Sequence, residues 1–181
     1  MSVPGVKRLQ KALCRAALVL AMIGPFRLSS ASADEATIEG CLEAAAELHH
    51  VPAGLLFLLI HVEDGRLGEV SQNTNGTVDI GPMQVNDIWV AKIAGHWGAS
   101  PDAAYRALRD NFCANVEGGA WVLRRALDEA HGDLWEGVAL YHSHRPVHKL
   151  EYMRLVYLHA MRLKRESERE LMSADSSAGG R

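Results

Sequence analysis

No acidic residue occurs among the first 33 residues of this chain of 181, although 22 occur after them. The same segment lacks a long apolar run, because Ala16–Ile23 is too short to span a membrane comfortably as a helix. It is basic at its start and ends in the small residues Ala31-Ser32-Ala33. These features predict a secretory signal peptide over residues 1–33, with an uncleaved N-terminal anchor as the alternative.

Basic residues are scarce in the rest of the chain. Five of the 19 lysines and arginines lie before residue 34, so the mature chain would carry a net charge of −8 with neutral histidines. This charge argues against a nucleic-acid partner, which would require a basic face. The sequence also lacks internal repeats and linkers, which predicts one domain over residues 34–170 with no transmembrane segment.

Cysteine is equally scarce, with three residues in the whole chain. Cys14 belongs to the predicted signal peptide, which leaves Cys41 and Cys113 in the mature protein. An even number of cysteines in an exported chain predicts a disulfide bond. Closing so long a loop would stabilise the fold by roughly 4 kcal/mol on the chain-entropy model. Two buried free thiols are the alternative.

Apolar spacing and capping residues predict helices over most of the chain. We expect them over residues 34–49, 52–64, 87–94, 101–108, 113–130 and 147–170, with another that Asp133 caps and that runs to His142. Pro52 should be the first residue of the second helix, and Gly65 should end it. Residues 77–80 are the only predicted strand, and residues 171–181 the predicted disordered tail. The prediction is an all-α fold, or an α fold with a minimal β element.

The predicted helices differ in which side chains they should bury. Residues 52–64 are apolar on nearly every face, which predicts a buried helix. The helix beginning at Cys113 carries one apolar stripe, made of Val116, Ala120, Leu123 and Leu127. The last helix should pack through another stripe, made of Leu150, Met153, Tyr157 and Met161.

Glu63 is the first candidate for a catalytic residue. Its neighbours Leu59, Ile60 and Val62 suggest little water around it, and burial raises the pKa of a carboxyl group. Its place in the last turn of a helix has the same effect, because the helix dipole disfavours a negative charge there. Such a carboxyl would hold its proton near neutral pH, the state needed to protonate a glycosidic oxygen. The alternative is an exposed glutamate at a helix end.

Two later segments add groups that suit a carbohydrate site. Gly81-Pro82-Met83-Gln84 combines a turn that backbone can bring close to a ligand with an amide that can bind sugar hydroxyl or acetamido groups. Farther on, Tyr141, His142 and Ser143 end a helix with consecutive hydrogen-bonding side chains. Tyr152 lies on the final helix, where a buried core tyrosine is the alternative.

In this order, these segments resemble the soluble lytic transglycosylase domain, over about residues 38–160. That family has a glutamate followed by a G-L-M-Q segment, an A-Y-N segment and a late tyrosine-valine helix. The segment DIGPMQVN, Cys41 before the glutamate helix and Asn111-Phe112-Cys113-Ala114-Asn115 after it are similar to the small transglycosylases of type III and type IV secretion and conjugation systems. The resemblance implies a lysozyme-like fold, a periplasmic location and peptidoglycan glycan strands as substrate.

The resemblance assigns Glu63 as the catalytic residue. It assigns substrate binding to Gly81, Met83, Gln84, Tyr141, His142, Ser143 and Tyr152. Pro82 stands where the family has leucine, which a turn tolerates. His142 stands where the family has asparagine, so either His142 or Ser143 could supply the hydrogen bond expected there.

The implied reaction uses one carboxylate. The glutamate protonates the oxygen that links N-acetylmuramic acid to N-acetylglucosamine, then takes the proton from the muramic C6 hydroxyl as that oxygen closes a 1,6-anhydro ring. A hydrolytic muramidase would instead need a second carboxylate about 5–9.5 Å away, for which Asp79 is the candidate. A third alternative is a non-catalytic wall-binding subunit of an assembly apparatus.

No cofactor or metal is predicted. His142, His144 and His148 have an H-x-H-x3-H spacing, but surface histidines near a helix end explain it better than a zinc site. The four tryptophans, Trp89, Trp97, Trp121 and Trp135, suit either sugar stacking or the core, with the core favoured.

Overall fold

The computed structural model describes residues 30–178, with side chains described over residues 37–174. The predicted signal peptide therefore lies outside the described residues, apart from its last four positions, which begin the first helix. The chain divides into two compact units, residues 1–35 and residues 36–181. The second unit contains all the residues discussed below.

Seven α-helices account for most of residues 30–178. They are α1 (Ser30–His49), α2 (Ala53–Glu63), α3 (Val90–Trp97), α4 (Pro101–Asp110), α5 (Phe112–Glu129), α6 (Leu134–His142) and α7 (Pro146–Ala178), with a 3₁₀ turn (Asp87–Trp89) before α3. None of the described helices is by itself long and apolar enough to cross a membrane. One pair of helical segments is long and apolar enough when the two are taken together, Thr37–His49 and Ala53–Glu63, but they are bent by 116° where they meet.

A small antiparallel sheet lies between α2 and α3. It contains β1 (Val70–Gln72), β2 (Val78–Ile80) and β3 (Val85–Asn86), in that order across the sheet. The predicted fold class, α with a minimal β element, is confirmed, and so is a strand at residues 77–80. The prediction that this strand is the only one is wrong, because β1 and β3 pair with β2 on its two sides.

Several helix ends differ from the prediction. Pro52 is the N-cap of α2 rather than its first residue, and Asp64 ends that helix in a left-handed conformation with φ of 50°, before Gly65 is reached. At the other end of the chain, α7 continues to Ala178. The predicted end at residue 170 is therefore wrong, and residues 171–178 of the predicted tail are helical.

The core is built mainly around α2 and α5. The predicted stripe of α5 is confirmed, since Val116, Ala120, Leu123 and Leu127 are all buried. In α2, four leucines are buried but Phe57 is 41% exposed, so this helix is not buried on every face. The predicted stripe of α7 is wrong at Leu150 and Tyr157, which are exposed, whereas Met153 packs against the core as predicted. The fully buried residues of α7 are Tyr152 and Val156.

A disulfide joins α1 to α5, as predicted. Cys41 and Cys113 are bonded across 72 positions of sequence, with their Cα atoms 5.0 Å apart. The bond links α1 to the helix at the centre of the core.

Reduction of this disulfide should lower the free energy of unfolding by roughly 4 kcal/mol, because the unfolded chain regains the entropy of an open 72-residue loop. Guanidinium denaturation with and without reductant measures the difference. The Cys41→Ala/Cys113→Ala double variant is the control, because it should match the reduced protein and show no response to reductant. An unchanged unfolding midpoint on reduction would contradict this prediction.

Candidate active site

Asn115 fixes the turn that carries the Gly81–Gln84 segment. This side chain is fully buried on α5, and its Oδ1 accepts a hydrogen bond of 2.8 Å from the backbone N–H of Met83. Its Nδ2 donates to the backbone oxygens of Ile80 and Leu108, at 2.8 and 2.9 Å. The fit requires glycine at position 81, because a Cβ there would lie 2.4 Å from Asn115 Nδ2 and the backbone φ is +65°.

Glu63 is the last residue of α2 and is partly buried. The phenolic oxygen of Tyr152, on α7, donates a hydrogen bond of 2.6 Å to Glu63 Oε1. Burial raises the pKa of Glu63 to about 7, and the nearby charge of Asp79 acts in the same direction, while the hydrogen bond from Tyr152 opposes them. Near neutral pH, Glu63 is therefore divided between its protonated and ionised forms, which suits a group that must both give and take a proton.

Asp79 lies on β2, and two amide side chains hold its carboxylate. Asn73 Nδ2 donates to Oδ2 at 2.9 Å, and Asn86 Nδ2 donates to Oδ1 at 2.7 Å. The sheet produces this arrangement, since Asn86 is the partner of Asp79 in the register between β2 and β3. Asn73 comes from the turn that follows β1.

A cleft of about 470 Å³ brings most of the predicted site residues together. Six of them line it: Glu63, Asp79, Gln84, Tyr141, His142 and Ser143. Both carboxylates therefore face one cleft. Apolar side chains complete its lining, among them Val85, Ile88, Trp89 and Val122. Such a mixture of polar groups and apolar surface suits a carbohydrate, whose rings have hydroxyl edges and apolar faces.

Gly81, Met83 and Tyr152 are not among the residues that line the cleft. The Met83 side chain is fully buried against Gly119, where an added Cβ would lie 2.5 Å from the methionine sulfur. The backbone oxygen of Met83 accepts a hydrogen bond of 2.7 Å from the Tyr141 hydroxyl. The Met83 side chain therefore lies beneath the turn, and substrate binding by this residue stays a prediction.

Gln84 has a backbone conformation that few residues adopt, with φ of +46°. Its side-chain nitrogen donates 2.8 Å to the oxygen of Gly81, so the amide closes the turn while it lines the cleft. Gly65, just past α2, packs against the same turn, and a Cβ there would lie 2.1 Å from the Gly81 oxygen. This close packing brings the ends of α2 and of the turn together.

His142 covers the tyrosine that binds Glu63. Its ring stacks on Tyr152 with centroids 4.3 Å apart and planes 1° apart. Burial lowers the pKa of His142, and the nearby His148 adds to this effect against an opposing influence of Asp79. A neutral imidazole at this position avoids placing a cation beside the Tyr152–Glu63 pair. Tyr152 is 3% exposed and is a hydrogen-bond partner of Glu63, whereas its predicted contact with substrate stays a prediction.

If Glu63 acts as a general acid, replacement of Tyr152 by phenylalanine should slow the reaction by about 10-fold or more, since a hydrogen bond to a charged group contributes about 1.5–3 kcal/mol. In the wild type, the hydrogen bond from Tyr152 lowers the pKa of Glu63. Loss of this bond should therefore raise that pKa and move the decline of activity on the alkaline side to higher pH. A pH–rate profile measures both effects. Tyr157→Phe, at an exposed position on the same helix, is the control. An alkaline limb that moves to lower pH would contradict this arrangement.

Sequence reasoning missed the residues that support the site. Asn115 holds the turn, and Asn73 and Asn86 hold Asp79. In the sequence, a turn signal marks Asn73, and Asn86 and Asn115 stand out only because their segments resemble those of a known family.

His144 pairs with Glu129 at 2.9 Å, as a surface histidine does. Of the tryptophans, Trp89 lines the cleft, Trp97 and Trp121 pack against the core, and Trp135 is exposed.

No protein-family model matches this chain. Among curated proteins, it is similar to Protein IpgF of Shigella flexneri and to Protein IpgF of Shigella sonnei, with 27% identity over 133 residues in both cases. The aligned region covers 71% of this chain and 84% of each relative. The similarity therefore extends over most of both proteins at low identity.

Proposed function

We propose that this protein is a peptidoglycan lytic transglycosylase, with Glu63 as its catalytic acid and base. One observation carries the proposal: a carboxyl with a pKa of about 7 faces a cleft of mixed polarity and is bound by a buried tyrosine. The resemblance of the ordered motifs to the soluble lytic transglycosylase domain supports the same activity and a lysozyme-like fold. No cofactor takes part in the proposed reaction.

The first step breaks the β-1,4 bond between N-acetylmuramic acid and N-acetylglucosamine. Protonated Glu63 gives its proton to the bridging oxygen, and the bond from that oxygen to C1 of the muramic residue breaks as positive charge develops at C1. Glu63 becomes a carboxylate, which the hydrogen bond from Tyr152 stabilises. The charge of Asp79 in the same cleft favours the developing cation.

The second step closes the ring. The C6 hydroxyl of the same muramic residue attacks C1, and the Glu63 carboxylate takes the hydroxyl proton. The products are a 1,6-anhydromuramic end and a free C4 hydroxyl on the released N-acetylglucosamine, and Glu63 is again protonated. Because the pKa of Glu63 is about 7, both the protonated form that the first step needs and the ionised form that the second step needs are populated at neutral pH.

A hydrolytic muramidase is the second candidate, favoured by the presence of Asp79 in the cleft with Glu63. In that reaction Asp79 would activate a water or attack C1. Both of its carboxylate oxygens already accept an amide hydrogen bond, so each has a lone pair engaged with Asn73 or Asn86. With both oxygens bound by amides, Asp79 suits an electrostatic role better than nucleophilic attack on C1. We therefore place the hydrolase second.

The predicted signal peptide supports action in the periplasm. The resemblance to small transglycosylases of type III and type IV secretion and conjugation systems supports a narrower purpose, the local opening of the wall for such an apparatus. Components of that apparatus would then be partners beside the glycan strands. A non-catalytic wall-binding subunit would keep the cleft, but it would have no need for the raised pKa of Glu63.

Incubation of residues 34–181 with purified peptidoglycan tests whether the protein is an enzyme. We expect release of soluble muropeptides at neutral pH, measured by chromatography of the supernatant. Co-sedimentation with the wall, measured in parallel, reports binding alone. Wall binding without any release by the folded protein would contradict the enzymatic proposal and favour the binding subunit.

A further inference from the structure

Two histidines and a glutamate converge at a point that the residues lining the cleft do not include. His49 ends α1, His96 lies in the last turn of α3, and Glu117 lies in the second turn of α5. Glu117 Oε1 lies 2.6 Å from His49 Nε2 and 3.1 Å from His96 Nε2, and the candidate ligand atoms all lie within 4.8 Å of one another. None of the three lines the cleft.

We propose that these three side chains form a zinc-binding site that joins α1, α3 and α5. Two imidazole nitrogens and one carboxylate oxygen are a donor set that Zn²⁺ prefers, with a water molecule as fourth ligand. This site is independent of the glycan chemistry at Glu63. Its function would be to fix three helices of the core together rather than to take part in the reaction.

The two donor distances to Glu117 Oε1 can be compared with the spacing that a tetrahedral ion requires. Zinc lies about 2.0–2.1 Å from nitrogen or carboxylate oxygen, so neighbouring ligand atoms are about 3.3 Å apart. The His96–Glu117 distance is already close to this value, whereas the His49–Glu117 distance must open by about 0.7 Å. A side-chain torsion of Glu117 can supply such a change without any movement of the helices.

The surroundings hold the donors in place. Trp97 donates its indole N–H to the other carboxylate oxygen of Glu117, which leaves Oε1 directed at both imidazoles. The ring of His96 stacks on Trp121 with centroids 5.8 Å apart. Hydrogen bonds and stacking of this kind commonly orient metal ligands. Glu117 also lines a groove between α1 and α5, which gives an ion and its water a path from solvent.

The location explains what a metal would add. The disulfide already joins α1 to α5 near the start of α5, through Cys41 and Cys113. His49 lies eight residues beyond Cys41 and Glu117 four beyond Cys113, so the ion would make a second connection between the same helices. It would also attach α3, which the disulfide does not reach.

The test measures zinc binding by the untagged protein, residues 34–181, with its disulfide intact. After dialysis against Zn²⁺ and removal of free metal, elemental analysis should find one zinc per chain. Titration calorimetry should give an affinity that falls by about 100-fold or more in His96→Gln and in Glu117→Gln. The matched control is His50→Asn, an exposed histidine next to His49 whose φ of +52° asparagine tolerates.

Thermal unfolding provides a second readout. Zinc at about 100 times its dissociation constant should raise the unfolding midpoint of the wild type by several degrees and leave that of His96→Gln unchanged. His96 is the safer position should Glu117→Gln fail to fold, because the His96 side chain is 34% exposed. Replacement of zinc by Co²⁺ should give the visible absorption of a four-coordinate ion.

Three results would overturn the proposal. The first is less than one zinc per chain in the wild type. The second is equal zinc affinity in the wild type and His96→Gln. The third is zinc binding that survives His96→Gln but is lost in His148→Gln, which would place the ion among the cleft histidines. Any of these would leave the three residues as a hydrogen-bonded network that needs no metal.

Discussion

Glu63→Gln should reduce the rate of glycan cleavage by about 10³-fold or more. The amide cannot give a proton to the bridging oxygen or take one from the C6 hydroxyl, and general acid–base groups typically contribute 10²–10⁴-fold each. The fold should persist, because the carbonyl of glutamine can still accept the hydrogen bond that Tyr152 donates to Glu63. Rates of muropeptide release at saturating peptidoglycan, with circular dichroism as a check of folding, measure the effect.

The neighbouring residue supplies the matched control. Asp64→Asn changes an exposed carboxylate one position later, where φ is +50° and asparagine is well tolerated. Its activity should remain within a few-fold of the wild type. The pH dependence adds a further check: activity of the wild type should fall as pH rises through about 7, because Glu63 loses the proton of the first step. Retention of activity by folded Glu63→Gln would contradict the assignment of this residue.

Asn115→Ala should lower the free energy of unfolding by about 3 kcal/mol or more. The change leaves the N–H of Met83 and the oxygens of Ile80 and Leu108 buried without a side-chain partner, at about 1–3 kcal/mol each. It should also release the turn that carries Gln84. We therefore expect a loss of activity even at temperatures where the variant is folded. Denaturant unfolding and muropeptide release measure the two effects.

Val116→Ala separates stability from the geometry of the turn. Val116 is the next residue on α5 and is fully buried, but its replacement removes only apolar atoms. It should lower stability while the folded protein keeps nearly normal activity. Equal stability and activity in Asn115→Ala and the wild type would show that this asparagine does not hold the turn.

The helices were predictable wherever a local chemical signal marks them. Ser100 and Asp133 cap α4 and α6 as expected, through hydrogen bonds to the N–H groups of Ala103 and Glu136. The faces of α7 were not predictable, because Leu150 and Tyr157 are as apolar as the residues that are buried. Which stripe of a long helix lies inside depends on the helices beside it, here α2 and α6, and a single sequence does not supply their positions.

For the site, the sequence identified six of the residues that line the cleft, but it missed others there, among them Asn73 and Asn86, and it missed Asn115 beneath the turn. Glu63 was detectable because a carboxylate in the last turn of an apolar helix violates the usual preferences. Asn115 was not, because an asparagine inside a helix has no local signature of burial. His49, His96 and Glu117 lie on three helices with unrelated spacing, so only the fold brings them together.

Mass spectrometry of the products is the most direct test of the central claim, that Glu63 catalyses ring closure within the muramic residue. Purified peptidoglycan is digested with residues 34–181, and the muramic ends of the released fragments are identified. The account predicts 1,6-anhydro ends, each one water molecule lighter than a reducing end, and no such ends with Glu63→Gln. Hydrated reducing ends that also disappear in Asp79→Asn would contradict it and establish a muramidase in which Asp79 is the second carboxylate.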